Sequence, residues 1–564
     1  MEKEEYEAQI KALKEEIELL KKKQTYEIKR QKYGLNWIDV PEAFEKDSEN
    51  KIPVLEEVKE KSIKNNDGKP THILIEGDNY HALQCLNYTH KGKIDVIYID
   101  PPYNTGNEFV YKDARYLDKY PDGSLVDTNH PLKHSYWLSF MEKRLKLAKN
   151  LLSKKGVIFI SIDDNEQANL KLLCDSIFGE KNYESIIWKK KGGSGNTEKI
   201  LGCLTEYILC FFNEKKSGIF NFQKLDRSYK YKDDIGFYNL EGIEKTNSGT
   251  YARPTMLFDI IDPVSGKHFR PSVGMRWTVG ESSVAGMIKE NKLYFDYKKN
   301  KVYRIKREND YEQSKNVYYN LFDDCGSLSY AKDELEKLNF DREKFDTPKP
   351  TLLLNRILTI ASNSSSTILD FFAGSGTTLH ATMKLNEEDG GNRQCILVQL
   401  NENNICEEVT YERNRRVMQG YTNSKGEQIP GLGNSLKYYK TAFIGQNNCK
   451  NANDDDRTEL AKKAGCLLSL GENTLDEICS TEYYQLFTGS KEATAVYFTD
   501  DYEKFDEFKE KVAELAPKFK KTFVYIFAWS SADDFAYEFE DIPNIQIKAI
   551  PLPILEIYKS IYNA

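Results

Sequence analysis

The sequence predicts an α/β protein built on a doubly wound, mostly parallel sheet. Three observations predict it. Short runs that are apolar at nearly every position, such as Val96–Ile99 and Val157–Ile162 with Ser161 as its one polar residue, recur along the chain. Amphipathic stretches such as 137–152 (WLSFMEKRLKLAKNLL) stand between them. Gly, Pro and Asp mark the junctions. Strands apolar at every position are those buried on both faces, and their alternation with helices is the mark of parallel crossover units.

The elements are justified in chain order. Residues 1–32 are rich in Lys and Glu, and Tyr6, Ile10, Leu13, Ile17 and Leu20 are spaced four, three, four, three. That is the seam of a short coiled coil or helical arm. The first α/β portion, 33–212, begins with a strand at His72–Glu76, followed by Gly77-Asp78 and a helix carrying Leu83 and Leu86. The strand 96–99 comes next, then the helix 137–152 with Gly156 as its stop, then the strand 157–162. From 213 to 345 the rhythm is lost in a segment rich in Tyr, Asn, Gly and Lys, which predicts an inserted domain. The α/β pattern resumes over 346–445, with a helix at 350–362, a strand at 367–372, a glycine turn, a helix and a strand at 395–400. The polar run 446–458 (QNNCKNANDDDRT) reads as a linker. Residues 459–564, with strands at 495–498 and 522–528, read as a small terminal α/β domain.

Composition narrows the class. The chain has 564 residues, 30% charged and 40% hydrophobic, which fits two or three globular domains. No apolar run approaches the ~20 residues of a membrane helix. Ten scattered cysteines without a CxxC pair suggest reduced thiols in a cytoplasmic protein, and no metal-ligand spacing stands out. The net charge of −8 argues mildly against nucleic acid as a partner, but binding depends on a local basic face.

Two strand ends carry the chemistry, because ligands of parallel sheets collect at the carboxyl ends of strands. The first is Asp100-Pro101-Pro102-Tyr103. Successive prolines donate no N–H and fix φ, so a carboxylate and main-chain carbonyls, all acceptors, lie beside a flat aromatic. Such a site suits a planar ligand presenting an amino group. The second is Asp370-Phe371-Phe372-Ala373-Gly374-Ser375-Gly376-Thr377. A phosphate-binding P-loop would need a following lysine, and a dinucleotide turn a third glycine where Leu379 stands. A nucleoside ligand without pyrophosphate remains, and S-adenosylmethionine fits.

"DPPYNTG" together with "DFFAGSGTT" resembles the motif pair of the amino-group DNA methyltransferases, which act on adenine N6 or cytosine N4. Their order, with the acidic strand end first, resembles the circularly permuted β-class on a Rossmann-like sheet. The surrounding text from about 33 to 440, and "IPLPILEIYKSIY" at the end, is similar to the modification (Mod) subunit of type III restriction-modification systems. The resemblance implies methyl transfer from S-adenosylmethionine to N6 of a flipped-out adenine, since Asp at the first motif position is usual for adenine. It implies catalytic roles for Asp100, Pro101, Pro102 and Tyr103. It places the cofactor along Phe372, Ala373, Gly374, Ser375, Gly376 and Thr377, with Asp370, Asp78, and Lys349 of "PKPT" around it. Either Gln399 or Glu402 would hold the ribose. The 213–345 segment becomes a target-recognition domain. Double-stranded DNA, a restriction (Res) subunit and a second Mod copy are the implied partners. The alternatives are a solitary adenine-N6 or cytosine-N4 methyltransferase, or a DNA-recognition and assembly subunit without catalysis. Three basic runs are candidate DNA contacts: Lys189, Lys190 and Lys191; Lys230 in "RSYKYK"; and Lys298, Lys299, Arg304, Lys306 and Arg307, where alternation in a strand would put charge on one face.

Overall fold

In the computed structural model the described residues are 14, 37, 52–65, 67–105, 133–193, 201–223, 228–249, 252–308, 310, 316–423, 425–444, 454–498, 502–527 and 532–550. The arm expected over 1–32, Lys14 apart, and the closing run from 551 lie outside them.

A ten-stranded sheet forms the centre. Its strands are β1 (Ile52–Glu57), β2 (Thr71–Glu76), β3 (Ile94–Ile99), β4 (Leu152–Ile162), β5 (Tyr183–Lys189), β6 (Thr205–Phe212), β7 (Leu321–Phe322), β8 (Thr367–Asp370), β9 (Gln394–Gln399) and β10 (Ser435–Ile444). The order across the sheet is β1-β10-β2-β9-β8-β3-β4-β6-β5-β7. From β10 to β4 every neighbour is parallel, whereas β1, β6 and β5 pair antiparallel. The mostly parallel α/β sheet is therefore present, with antiparallel strands towards its edges.

The apolar runs explain the layering. In a strand successive side chains alternate between faces. Ile73, Ile75, Ile97, Ile99, Ile158 and Ile160 turn to one side, into a core shared with Leu83 and Leu86 of α1 (Asn79–Thr89), Met141 and Leu145 of α2 (Lys133–Leu151), and Leu170 and Leu173 of α3 (Gln167–Phe178). Leu74, Val96, Tyr98 and Phe159 alternate with them and are equally buried. The helices α4 (Thr351–Ala361) and α5 (Thr377–Asp389) contribute no residue to the first core and pack on each other.

Several boundaries differ from expectation. Gly156 does not stop α2. The helix ends at Leu151 and β4 starts at once with a bulge against Ile94 and Val96, and a Cβ on Gly156 would stand 2.8 Å from the Ile94 carbonyl oxygen. The expected linker already becomes helix at Asp454. That helix, Asp454–Gly471, sends Leu467 and Leu470 into the main core. The terminal sheet, Asp476–Ser480 to Ile545–Lys548, lies in the same compact unit. The separate unit is 222–318, narrower than the predicted insertion of 213–345, because 319–345 returns to the first unit through β7 beside β5 and the helix Leu328–Lys337. The unit 222–318 holds a four-stranded sheet and a core of Ile243, Ile260, Phe269, Trp277, Val284 and Val302. Among the described residues no helix is long and apolar enough to cross a membrane.

Candidate functional site

At the end of β3 the chain is held from several sides. The Trp137 indole of α2 donates to the Pro102 carbonyl at 2.7 Å. That engages one carbonyl of the double proline. The next residues are fixed by Glu166, fully buried, which accepts from Asn104 Nδ2 (2.5 Å) and Asn169 Nδ2 (2.8 Å) and pairs with His134 (2.6 Å). Asn104 itself has φ of 54°, a left-handed conformation asparagine tolerates.

Asp100 lies in a cluster that the local sequence did not reveal. Its Oδ1 accepts from the Tyr103 hydroxyl at 2.6 Å, and its Oδ2 from Lys349 Nζ at 2.7 Å. Lys349 also reaches the Tyr103 oxygen at 3.0 Å and lies 3.7 Å from Glu206 Oε2. Glu206 sits on β6, accepts from Lys190 Nζ at 3.0 Å, and is only 5% exposed. Burial raises the Asp100 carboxyl above its usual range, opposed by Lys349 and reinforced by Glu206. Burial pulls the Lys349 ammonium down, but Asp100 and Glu206 outweigh it and hold the group above its ordinary value. Burial and the two carboxylates push the Tyr103 phenol well up, so it stays a donor.

The second strand end is its direct neighbour. β8 pairs with β3 through Ile368–Val96 and Leu369–Ile97, so both strands open at one edge. Asp370 is turned inward, 2% exposed, accepting from Phe372 N (3.0 Å) and the Thr378 hydroxyl (2.5 Å). Burial pushes its carboxyl up to about 7. It ties the turn to α5. Gly374 and Gly376 have φ of 51° and 75°. A Cβ on Gly376 would come within 2.4 Å of Asn414 Nδ2, so only glycine fits. The turn is pinned from outside by Gln399 Oε1 accepting from Gly374 N (2.7 Å), Thr410 donating to the Gly374 carbonyl (2.6 Å), and the buried Arg413 donating to Thr377 Oγ1 (2.7 Å) and Ser375 Oγ (3.0 Å). The result is a stretch of bare backbone cradled by polar groups at the carboxyl edge, which fits a nucleoside ligand bearing an amino acid.

Lys349 joins the two ends. Its carbonyl accepts from the Thr377 hydroxyl at 3.1 Å while its ammonium reaches Asp100. The residue expected to wall the cofactor turn therefore also enters the acidic site. Asp78, after β2, caps α1 by accepting from Tyr80 N (2.7 Å) and lies 3.4 Å from Arg144. Asn79 donates to the Phe371 carbonyl at 2.9 Å, which ties this strand end to the glycine turn. Gln399 is engaged at both ends of its amide, since its Nε2 donates to the Leu400 carbonyl. Among the described residues no cluster of His, Cys, Asp or Glu could hold a metal ion.

The basic candidates fare unevenly. Lys189 and Lys191 are exposed, but Lys190 is paired with Glu206 inside the acidic cluster. Lys230, Lys298 and Lys299 are exposed. The strand Lys301–Arg307 does not present one basic face. Arg304 and Lys306 share the side of Val302, which is 1% exposed in the core of that unit, while Lys301 and Arg307 lie on the other side. Arg307 is held by Asp233 in a two-pronged ion pair at 2.8 and 2.6 Å. Glu166, Glu206 and Arg413 were absent from the sequence expectations. Each acts across long sequence distances, and none stands in a recognisable local pattern.

A sequence model of the family described as DNA methylase matches residues 94–411, more than half of the chain, and includes both strand ends. The chain belongs to the DNA methylase family. Among its relatives are the StyLTI Mod subunit of a type III restriction-modification enzyme from Salmonella typhimurium, 35% identical over 373 residues covering 61% of this chain and 55% of that protein. The type II methyltransferase M.KpnI of Klebsiella pneumoniae is 31% identical over 389 residues, 65% of this chain and 90% of its own. The EcoP15I Mod subunit of Escherichia coli is 29% identical over 439 residues, 67% of this chain and 66% of its own. The chain thus spans 55% of the length of the StyLTI subunit and nearly all of M.KpnI.

Proposed function

We propose that this DNA methylase transfers a methyl group from S-adenosylmethionine to the exocyclic amino group of a base extruded from double-stranded DNA, with adenine N6 as the target. It serves as the modification and recognition subunit of a type III system in the cytoplasm, alongside a Res subunit. One observation carries the reaction. Asp100 and the glycine turn leave neighbouring parallel strands at the same sheet edge, and Lys349 touches both.

The cradle of Phe372 to Thr377 would hold the methionine portion, Asp78 the adenine side and Glu402 the ribose. When bound, S-adenosylmethionine supplies the electrophilic methyl group. An aromatic amino group is a poor nucleophile because its lone pair is delocalised into the ring. Hydrogen bonds from it to the Asp100 carboxylate and the Pro101 carbonyl draw the nitrogen towards sp³ geometry and offset the positive charge that develops there. The lone pair forms the new N–C bond as the methyl–sulfur bond of the donor breaks, its electron pair staying on the sulfur of the departing S-adenosylhomocysteine, and Asp100 is the acceptor within reach for the proton given up. Extruding the base costs a few kcal/mol, and stacking on Tyr103 returns ~1–3 kcal/mol of it. The Mod relatives support the type III assignment and the Res partner, and the heptads of 1–32 are the candidate dimer contact.

The test is transfer of labelled methyl to DNA followed by digestion to nucleosides. Label is expected in N6-methyladenine with the wild-type chain and to be lost in Asp100→Ala, which retains cofactor binding. Label in cytosine would move the target to N4, and no label at all would reject the reaction.

A further inference from the structure

The acidic site holds two carboxylates and one buried ammonium between them. Lys349 Nζ is 2.7 Å from Asp100 and 3.7 Å from Glu206. Lys349 and Glu206 are 6% and 5% exposed, so neither end of this arrangement is a surface pair. The ammonium presents N–H donors to Asp100 Oδ2 with its nitrogen 5.2 Å from the centre of the Tyr103 ring. That is the chemistry expected of a base amino group in the same place. While Lys349 remains there it occupies an acceptor, and its charge cancels the field that Asp100 should exert on a nitrogen becoming positive.

We infer that Lys349 plugs the amine seat when no base is present, and that Glu206 is the positioning residue that draws it aside when a base enters. The inference rests on the methyl-transfer function proposed above. A shift of about 1 Å would bring the ammonium from its present separation to hydrogen-bond distance of Glu206. Glu206 is itself fixed for this task by Lys190, which approaches its other oxygen at 3.0 Å. The four side chains form a neutral row, Lys190–Glu206–Lys349–Asp100, so the ammonium changes partner without either carboxylate being left unpaired. The entering amino group takes over Asp100, and Lys349 completes Glu206.

Glu206→Gln keeps the shape and removes the charge that attracts Lys349. Single-turnover methyl transfer at saturating DNA and S-adenosylmethionine should fall about 10- to 100-fold. The dissociation constant for S-adenosylmethionine, measured by calorimetry, should stay within about threefold of wild type. Adding Lys349→Met removes the plug together with its unmatched charge, and the double variant should recover at least about tenfold over E206Q. A merely structural glutamate would weaken S-adenosylmethionine binding along with transfer, so the fall in rate at unchanged cofactor affinity marks the positioning role. A wild-type rate in E206Q, or a double variant no faster than E206Q, overturns the inference. If E206Q does not bind S-adenosylmethionine, Glu206→Asp takes its place. It keeps the charge but withdraws it by one methylene, so slowed transfer supports the role and an unchanged rate overturns it. A wild-type chain that methylates no DNA removes the proposed reaction and this role with it. Wild-type activity with an unaffected E206Q removes only the role of Glu206.

Discussion

Gly376→Ala tests whether the cofactor cradle is set by backbone that only glycine can adopt. The residue has φ of 75°, in the left-handed region, where an alanine costs about 1–2 kcal/mol. The new Cβ would meet Asn414 Nδ2 at 2.4 Å and the Thr410 carbonyl at 3.1 Å. Asn414 is fully buried and donates to that same carbonyl at 2.8 Å and to the Gly376 carbonyl at 3.3 Å. It cannot retreat without losing at least one hydrogen bond, about 1 kcal/mol, and overpacking of this kind typically costs about 1–3 kcal/mol. Together these give about 3–6 kcal/mol for keeping the turn as it is. The variant should therefore relax the turn and restore it only on binding. At 1.4 kcal/mol per tenfold, even the lower figure raises the S-adenosylmethionine dissociation constant about 100-fold. Titration calorimetry measures this directly, and urea unfolding reads the accompanying loss of stability. An affinity within about threefold of wild type, with an unchanged unfolding midpoint, would refute the account of the turn.

Three further outcomes are expected. Trp137→Phe leaves the Pro102 carbonyl without its indole donor, a loss of about 1–3 kcal/mol, so the methyl-transfer rate should drop while cofactor affinity holds; equal rates would remove Trp137 from the site's support. His72 is fully buried with its pKa pulled down to about 4 by burial, against about 6.5 unfolded. The folded state binds fewer protons in that window, so stability should be complete above pH 6.5 and fall by about 3 kcal/mol as pH drops to 4; His72→Gln should lose that part of the slope in unfolding measurements, and an undiminished slope would exclude it. Lys189→Ala and Lys191→Ala should weaken DNA binding and each lower the salt slope by about 0.9, whereas Arg307→Ala should loosen the 222–318 sheet through Asp233 and leave that slope unchanged. Equal slopes in all three variants would dismiss this division of the basic residues.

The parallel sheet and both of its functional ends were legible because each is written locally. A run such as VIYI followed by DPPY declares a buried strand and its acceptor-rich end without reference to the rest of the chain. The glycine turn was legible for the same reason, since Gly374 and Gly376 mark a backbone that side chains would obstruct. What could not be read was which distant side chains enter the acidic end. Lys349 meets Asp100 across 249 positions, and Glu206 reads in TEYIL as an ordinary polar residue in a strand. Gln399 and Asp370 were recognised as site residues, but which way each carboxamide or carboxyl turns depends on Gly374, Thr378 and Phe372 around them. Alternation in the basic strand fixes which residues share a side, and the structure adds that Arg304 and Lys306 share the side of the buried Val302 while remaining half-buried themselves.

The placement of β10 between β1 and β2 has a consequence for synthesis on the ribosome. Among the described residues β1 pairs in the sheet with β10 alone, and β2 has β10 on one flank and β9 on the other. Both early strands must therefore wait, with unpaired edges, until the chain has been translated past residue 444. At typical elongation speeds that delay is roughly tens of seconds. A nascent chain halted before Ser435 would carry open, apolar strand edges and should depend on a holding chaperone to stay in solution.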